Sequence, residues 1–140
     1  MEIIANAVQT VNANQNVYFT DSITSGNYAI EHRDGSGLVT LRGITNTQCR
    51  ARFQVSFGAN VAISEGGTAG PISLAISLDG ESLPSTIMTI TPAAVGDFFN
   101  ISTSVYIDIP QGCCSHISVK NISTQAVDVQ NANLIAVRAA

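Results

Sequence analysis

The chain of 140 residues has no tryptophan, three cysteines, four prolines and a single lysine, Lys120. Only 11% of its residues are charged, less than half the usual share of about 25%. Five arginines and one lysine, at a net charge of −4, exclude a general nucleic-acid surface, which needs clustered cations to displace counterions. No apolar run reaches the length of a membrane-spanning helix. The opening segment Met1-Glu2-Ile3-Ile4-Ala5-Asn6 lacks a basic region followed by a long apolar stretch, so no secretory signal is expected. The expectation is a protein made and kept in a cytoplasm, or released from it by lysis. The sequons at Asn100 and Asn121 then read as chance matches in a chain rich in Asn and Ser.

What the chain does have is alternation. Cys49, Ala51, Phe53, Val55, Phe57, Ala59 and Val61 fall on one face of an extended segment, and Arg50, Arg52, Gln54, Ser56, Gly58 and Asn60 on the other. A period of two predicts a strand buried on one side and wet on the other. Arg50 and Arg52 share the wet face and read as paired or solvated surface charges. A bend is expected at Gly58, where no side chain resists a kink.

Further extended runs are predicted at Ile3 to Val11, Asn16 to Thr20, Tyr28 to His32, Leu38 to Arg42, Ile72 to Leu78, Thr86 to Thr91, Phe99 to Ile109, Ile117 to Val119 and Val127 to Val137. Turn chemistry separates them, most clearly Arg33-Asp34-Gly35-Ser36-Gly37 and Asp79-Gly80. One helical turn is predicted at Ala93 to Asp97. About eight to ten short strands, with no repeat or linker, predict a single all-β domain, a two-sheet sandwich or barrel, across residues 1–140. The length allows roughly 68% of the unfolded surface to be buried without disulfides.

Two strands are apolar on both faces. Ile135 and Val137 face one way and Leu134 and Ala136 the other, and Tyr106 lies opposite Val105, Ile107 and Ile109. A sandwich covers one face of each sheet, so a second apolar face needs a partner subunit or a covering loop. Tyr106, Leu134 and Ala136 are the residues expected at an oligomer interface.

No catalytic motif stands out. Cys113-Cys114-Ser115-His116 carries thiols and imidazole, but adjacent cysteines do not match zinc spacing. Buried free thiols are the plainer reading. A vicinal disulfide or a Cys49 to Cys113 bridge are the alternatives, and the odd count leaves at least one thiol free or intermolecular. His32 has no Gly-x-Ser-x-Gly elbow to work with. Asp34 to Gly37 lacks the alternating acids of a calcium loop, and Gly66 to Gly70 lacks the lysine of a phosphate loop. No cofactor, metal or catalytic residue is predicted.

The order of the second half resembles a known family. Ile72 to Leu78 leads into Asp79-Gly80-Glu81, then Thr86 to Thr91. After these come Val105-Tyr106-Ile107-Asp108-Ile109-Pro110-Gln111-Gly112, Ile117-Ser118-Val119-Lys120-Asn121 and Ala132 to Arg138. This resembles the tumour-necrosis-factor and complement-type jelly roll in its bacterial form, as in the C-terminal domains of collagen-like spore-surface proteins. The likeness runs from about Asn16 to Arg138, without the collagen-like stalk. The chain is also similar to small stand-alone proteins of gut Clostridia and their phages and prophages. Ile3 to Gln9, Gly58 to Val61 and Val129 to Ile135 carry that second likeness.

The resemblance implies a jelly-roll sandwich assembled as a homotrimer. It further implies a non-enzymatic structural role in a virion, as a capsid decoration or fibre-head protein assembled in the bacterial cytoplasm. Its partners would then be copies of itself and other capsid proteins. The alternatives are a carbohydrate- or receptor-binding module using loops such as Glu65 to Pro71, and a spore- or cell-surface structural protein.

Overall fold

The computed structural model describes residues 1–45 and 48–140, apart from the side chain of Cys113. The chain is all-β. Among the described residues there are twelve strands in two antiparallel sheets and no α-helix. In chain order the strands are β1 (Glu2–Ala5), β2 (Gln9–Val11), β3 (Asp21–Thr24), β4 (Ile30–His32), β5 (Val39–Gly43), β6 (Arg50–Ile63), β7 (Ile72–Leu78), β8 (Glu81–Ser82), β9 (Met88–Ile90), β10 (Phe99–Pro110), β11 (Gly112–Asn121) and β12 (Val127–Arg138). The first sheet runs β10-β6-β12-β1-β3, with β2 also paired to β12. The second runs β4-β5-β11-β7-β8, with β9 also paired to β7.

The β6 alternation holds. Ala51, Phe53, Val55, Phe57, Ala59 and Val61 are buried, and the residues between them are half-exposed. The strand starts one residue later than the pattern suggested, and Cys49 is exposed ahead of it. Gly58 stays within β6, paired with Ser102 on β10 and Asn133 on β12.

The irregularity lies next door. Between Gln130 and Asn133, β12 advances three residues while β6 advances two, Asn60 to Gly58. This is a bulge, and Asn131 occupies it with φ of 52°. Asn tolerates that left-handed conformation better than most residues. The bulge resets the parity of the strand: Val127 and Val129 face the core before it, and Ala132, Leu134 and Ala136 after it.

The core lies between the sheets. Phe57 from β6 meets the Phe19 ring edge-on at 6.3 Å, and Phe53 is buried in the same core. Ile76, Ile117 and Val119 of the second sheet belong to the same buried cluster. Two buried polar residues brace the sandwich, Thr86 within the second sheet and Asn121 between the two. The Thr86 hydroxyl accepts from the Ile76 N–H at 2.9 Å and donates to the Leu83 carbonyl at 2.8 Å. The Asn121 amide donates to the carbonyls of Val11 and Gln125 and accepts from the Ser123 N–H. That burial leaves the Asn121 sequon no exposed acceptor.

Several predicted segments break differently. Ile3 to Val11 splits into β1 and β2 at Asn6 to Val8. Ala93 to Asp97 holds turns and bends, with Gly96 at φ of 87°, rather than a helical turn. A single 3-10 turn instead occupies Pro84–Thr86, where Pro84 presets its first φ. The Asp79-Gly80 reversal is as predicted, with φ of 50° and 90°, the signature of a primed hairpin turn.

Candidate functional site

Two surfaces stand apart from the rest. The first is the outer face of the β10-β6-β12-β1-β3 sheet. Register sets its rows: Tyr106, Gln54 and Val137 lie side by side, then Ser104, Ser56, Ile135 and Glu2, then Ser102, Gly58 and Asn133. Tyr106, Ile135 and Val137 are exposed. The polar groups largely satisfy one another, Ser56 with Ser104 at 3.0 Å and Asn60 with Asn100 at 3.2 Å. Asn133 donates to the Glu2 carboxylate at 2.6 Å.

This geometry corrects part of the expected interface. Leu134 and Ala136 are 2% and 0% exposed and lie in the core of a single subunit. They cannot meet a partner. The bulge at Asn131 is the reason, because it moves the even-numbered residues inward and leaves Ile135 and Val137 outside. Tyr106 does face outward, at 64% exposure.

The arginine face of β6 ends this sheet. Asp108, directly opposite Arg52 on β10, accepts two hydrogen bonds from its guanidinium at 2.8 and 3.1 Å and a third contact from Arg50 at 3.1 Å. The hydrogen bond from Arg52 holds the Asp108 carboxyl below its ordinary value, with the charges of Arg52 and Arg50 adding to it against partial desolvation. Arg50 and Arg52 are thus a paired surface cluster.

The second surface is a cleft of about 370 Å³ at the edge of the sandwich, where β3 of one sheet approaches β4 and β5 of the other. Tyr28 stands over it, 79% exposed. The antiparallel pairing of β4 with β5 brings Arg42 beside the residues that precede β4. Its guanidinium lies 5.6 Å from the Tyr28 ring centroid, donates to the Tyr28 carbonyl at 3.1 Å and to Glu31 at 2.6 Å. Asn27 fixes the approach, its side chain accepting from the Ala29 N–H at 2.8 Å and its carbonyl from the Ile30 N–H at 3.2 Å. Gly26 is required there, because a Cβ would collide with the Ile30 carbonyl. Glu31 and His32 also line a second cleft of about 320 Å³ beyond β4.

Among the described residues, the remaining sequence candidates do not assemble into chemistry. The His32 imidazole is buried and donates from Nε2 to the Ser36 carbonyl at 2.9 Å. Asp34 lies 3.8 Å from its Nδ1 and accepts from the Ser22 hydroxyl at 2.7 Å. The carboxylate therefore separates hydroxyl from imidazole, the wrong order for His32 to activate Ser22. Among the described residues no three His, Cys, Asp or Glu side chains gather as a metal site. Cys49 is a free exposed thiol, so it bridges to neither other cysteine. Cys114 is disulfide-bonded, which corrects its reading as a free thiol, and the Cys113 side chain lies outside the described residues. In the Glu65 to Pro71 loop, Thr68 and Gln125 exchange two hydrogen bonds of 2.9 Å, leaving those groups engaged.

No protein-family model matches the chain, and neither does any curated protein. Among solved structures, the globular domain of the zebrafish complement 1qA protein superposes with a TM-score of 0.63 at 13% identity, over 96% of this chain and 93% of that one. At that identity the likeness establishes the fold, a complement-type jelly roll. The C-terminal domain of EclA, a sugar-binding protein, aligns at a TM-score of 0.41 and 12% identity, over 94% of this chain and 79% of that one. A CBM35 module from Cellvibrio japonicus Abf62 aligns at 0.36 and 8%, over 100% and 99%. Those two superpositions are too loose to carry weight.

Proposed function

We propose that the protein is a non-enzymatic structural module that associates as a homotrimer and serves in a phage particle, as a capsid decoration or fibre-head protein. The observation that carries self-association is the outer face of the first sheet. Its five strands hold 12, 14, 12, 4 and 4 residues. At roughly 16 Å² per strand residue, from a spacing of about 4.8 Å and a rise of about 3.4 Å, the face spans roughly 750 Å². One partner in a standard interface contributes about 800 Å².

The apolar side chains near the middle of that face are Tyr106, Ile135 and Val137, with the Glu2 carboxylate beside Ile135 held by Asn133. In a threefold ring this face would pack on a different surface of the next copy, because the same face meeting itself closes as a dimer. The virion role draws its support from the likeness of Ile3 to Gln9, Gly58 to Val61 and Val129 to Ile135 to stand-alone phage proteins. Light scattering should give three times the subunit mass of 14.6 kDa. A monomer mass would sink the trimer. Mass spectrometry of purified particles should find many copies of the chain, and its absence there would sink the virion role.

A second reading, a carbohydrate- or receptor-binding module, is favoured by a different observation: the exposed Tyr28 held over a polar cleft.

A further inference from the structure

We propose that the Tyr28 cleft binds a neutral pyranose, stacked by its C–H face on the Tyr28 ring and held by hydroxyl hydrogen bonds to Glu31 and Arg42. The inference rests on the binding-module reading and is independent of the trimer.

An aromatic ring left in water is an unspent source of burial, and its face suits flat, weakly apolar surfaces. Tyr28 is the most exposed of the large hydrophobic side chains. It is also preorganised. Arg42 holds the Tyr28 carbonyl and lies 5.6 Å from the ring centroid, while Asn27 and Gly26 fix the turn that places it. A ring held in advance costs little entropy when a ligand arrives.

The groups around it select hydroxyls. Oε2 of Glu31 is taken by Arg42, and the other carboxylate oxygen remains an acceptor. Arg42 uses one N–H toward Tyr28 and one toward Glu31, leaving further donors on the same fork. A carboxylate and a guanidinium side by side offer acceptor and donor to two adjacent hydroxyls at once. Because they neutralise each other at 2.6 Å, the pair has little net pull on an anion, so a neutral sugar is favoured over a uronic acid. The Asn27 side-chain nitrogen, whose oxygen is already engaged, adds one more donor.

The cleft volume of about 370 Å³ falls at the small end of ligand sites, which span roughly 300–1,000 Å³. Glu31 and His32 line the neighbouring cleft as well, so a glycan longer than one ring has a path across β4.

The test is saturation-transfer NMR of the full chain with the methyl glycosides of glucose, galactose, mannose and N-acetylglucosamine, with methyl glucuronide as the charged control. Saturating the aromatic protons should label ring C–H protons of at least one neutral glycoside, with methyl glucuronide weaker. Tyr28→Ala should weaken that binding by ~10-fold or more, and Tyr28→Phe should stay within ~3-fold of the parent, since only the ring is needed. Tyr28 is exposed, so its truncation leaves the core intact. Binding that survives Tyr28→Ala would overturn this site while leaving a binding module elsewhere. No transfer to any glycoside, together with a silent glycan array, would overturn both. A glucuronide that binds as well as the best neutral sugar would overturn the selectivity.

Discussion

Leu134 and Ile135 are neighbours in sequence with opposite surroundings, and truncating each should separate fold from assembly. Leu134 is 2% exposed among the core side chains, whereas Ile135 is 39% exposed on the outer face. Leu134→Ala removes buried methyl groups and leaves a cavity, a loss of about 2–5 kcal/mol. At about 2.1 cal/mol/K of unfolding entropy per residue, a chain of this length loses roughly 3 °C of Tm per kcal/mol, so Leu134→Ala should fall by about 6–15 °C.

Ile135→Ala removes a side chain from the surface of the subunit, and its cost there should stay near 0.5 kcal/mol, roughly 2 °C. In the proposed assembly it should instead lower Tm in a concentration-dependent way, because association stabilises by mass action. Thermal unfolding followed by circular dichroism, at concentrations on either side of the dissociation midpoint found by light scattering, reads both effects. If Ile135→Ala costs as much as Leu134→Ala in the dissociated subunit, or if Leu134→Ala is neutral, the facing of β12 described above is wrong.

Asp108→Asn should lower Tm slightly at neutral pH. The native carboxyl is held below its ordinary 3.8, so its contribution is present above that range and is lost as pH falls through the depressed value. The gap between parent and variant should close in acid and in high salt, and a gap unchanged under both would refute a charge origin. Thr86→Val strands the buried Ile76 N–H and should cost about 1–3 kcal/mol in urea unfolding; a neutral result would mean that water reaches the site. Asn121→Ala breaks three hydrogen bonds that join β2, β11 and the following turn. It should cost at least about 2 kcal/mol, with hydrogen exchange rising first at Ser123, whose N–H loses its acceptor. Cys49, exposed and free, should be alkylated by iodoacetamide in the folded protein, as peptide mapping would show; protection of Cys49 would place it under a neighbouring surface.

The sandwich was legible because a sheet wet on one side leaves a period of two in its sequence, as β6 does from Ala51 to Val61 and β10 does over most of its length. The turns at Gly35 and Gly80 were legible because positive φ restricts which residues fit. The facing of β12 was not, because counting by two from Val127 assumes an unbroken ladder, and one residue at Asn131 reverses the count. An Asn amid apolar alternation was the available signal. The Tyr28 cleft joins a loop before β4 to an arginine on β5, a contact that exists only once the hairpin register is set. Its local hint was the Ser25-Gly26-Asn27 turn chemistry ahead of an aromatic residue. The Pro84 turn is too short to show any periodicity.

The bulge at Asn131 also bears on how the chain reaches its native state. Beyond it, β12 is greasy on both sides, so sliding by one residue would exchange Leu134 and Ala136 for Ile135 and Val137 at little hydrophobic cost. Two registers of similar burial are rival minima on the folding landscape. A left-handed residue that fits one of them works as a selector, deciding during folding which side of the strand is sealed and which stays in water.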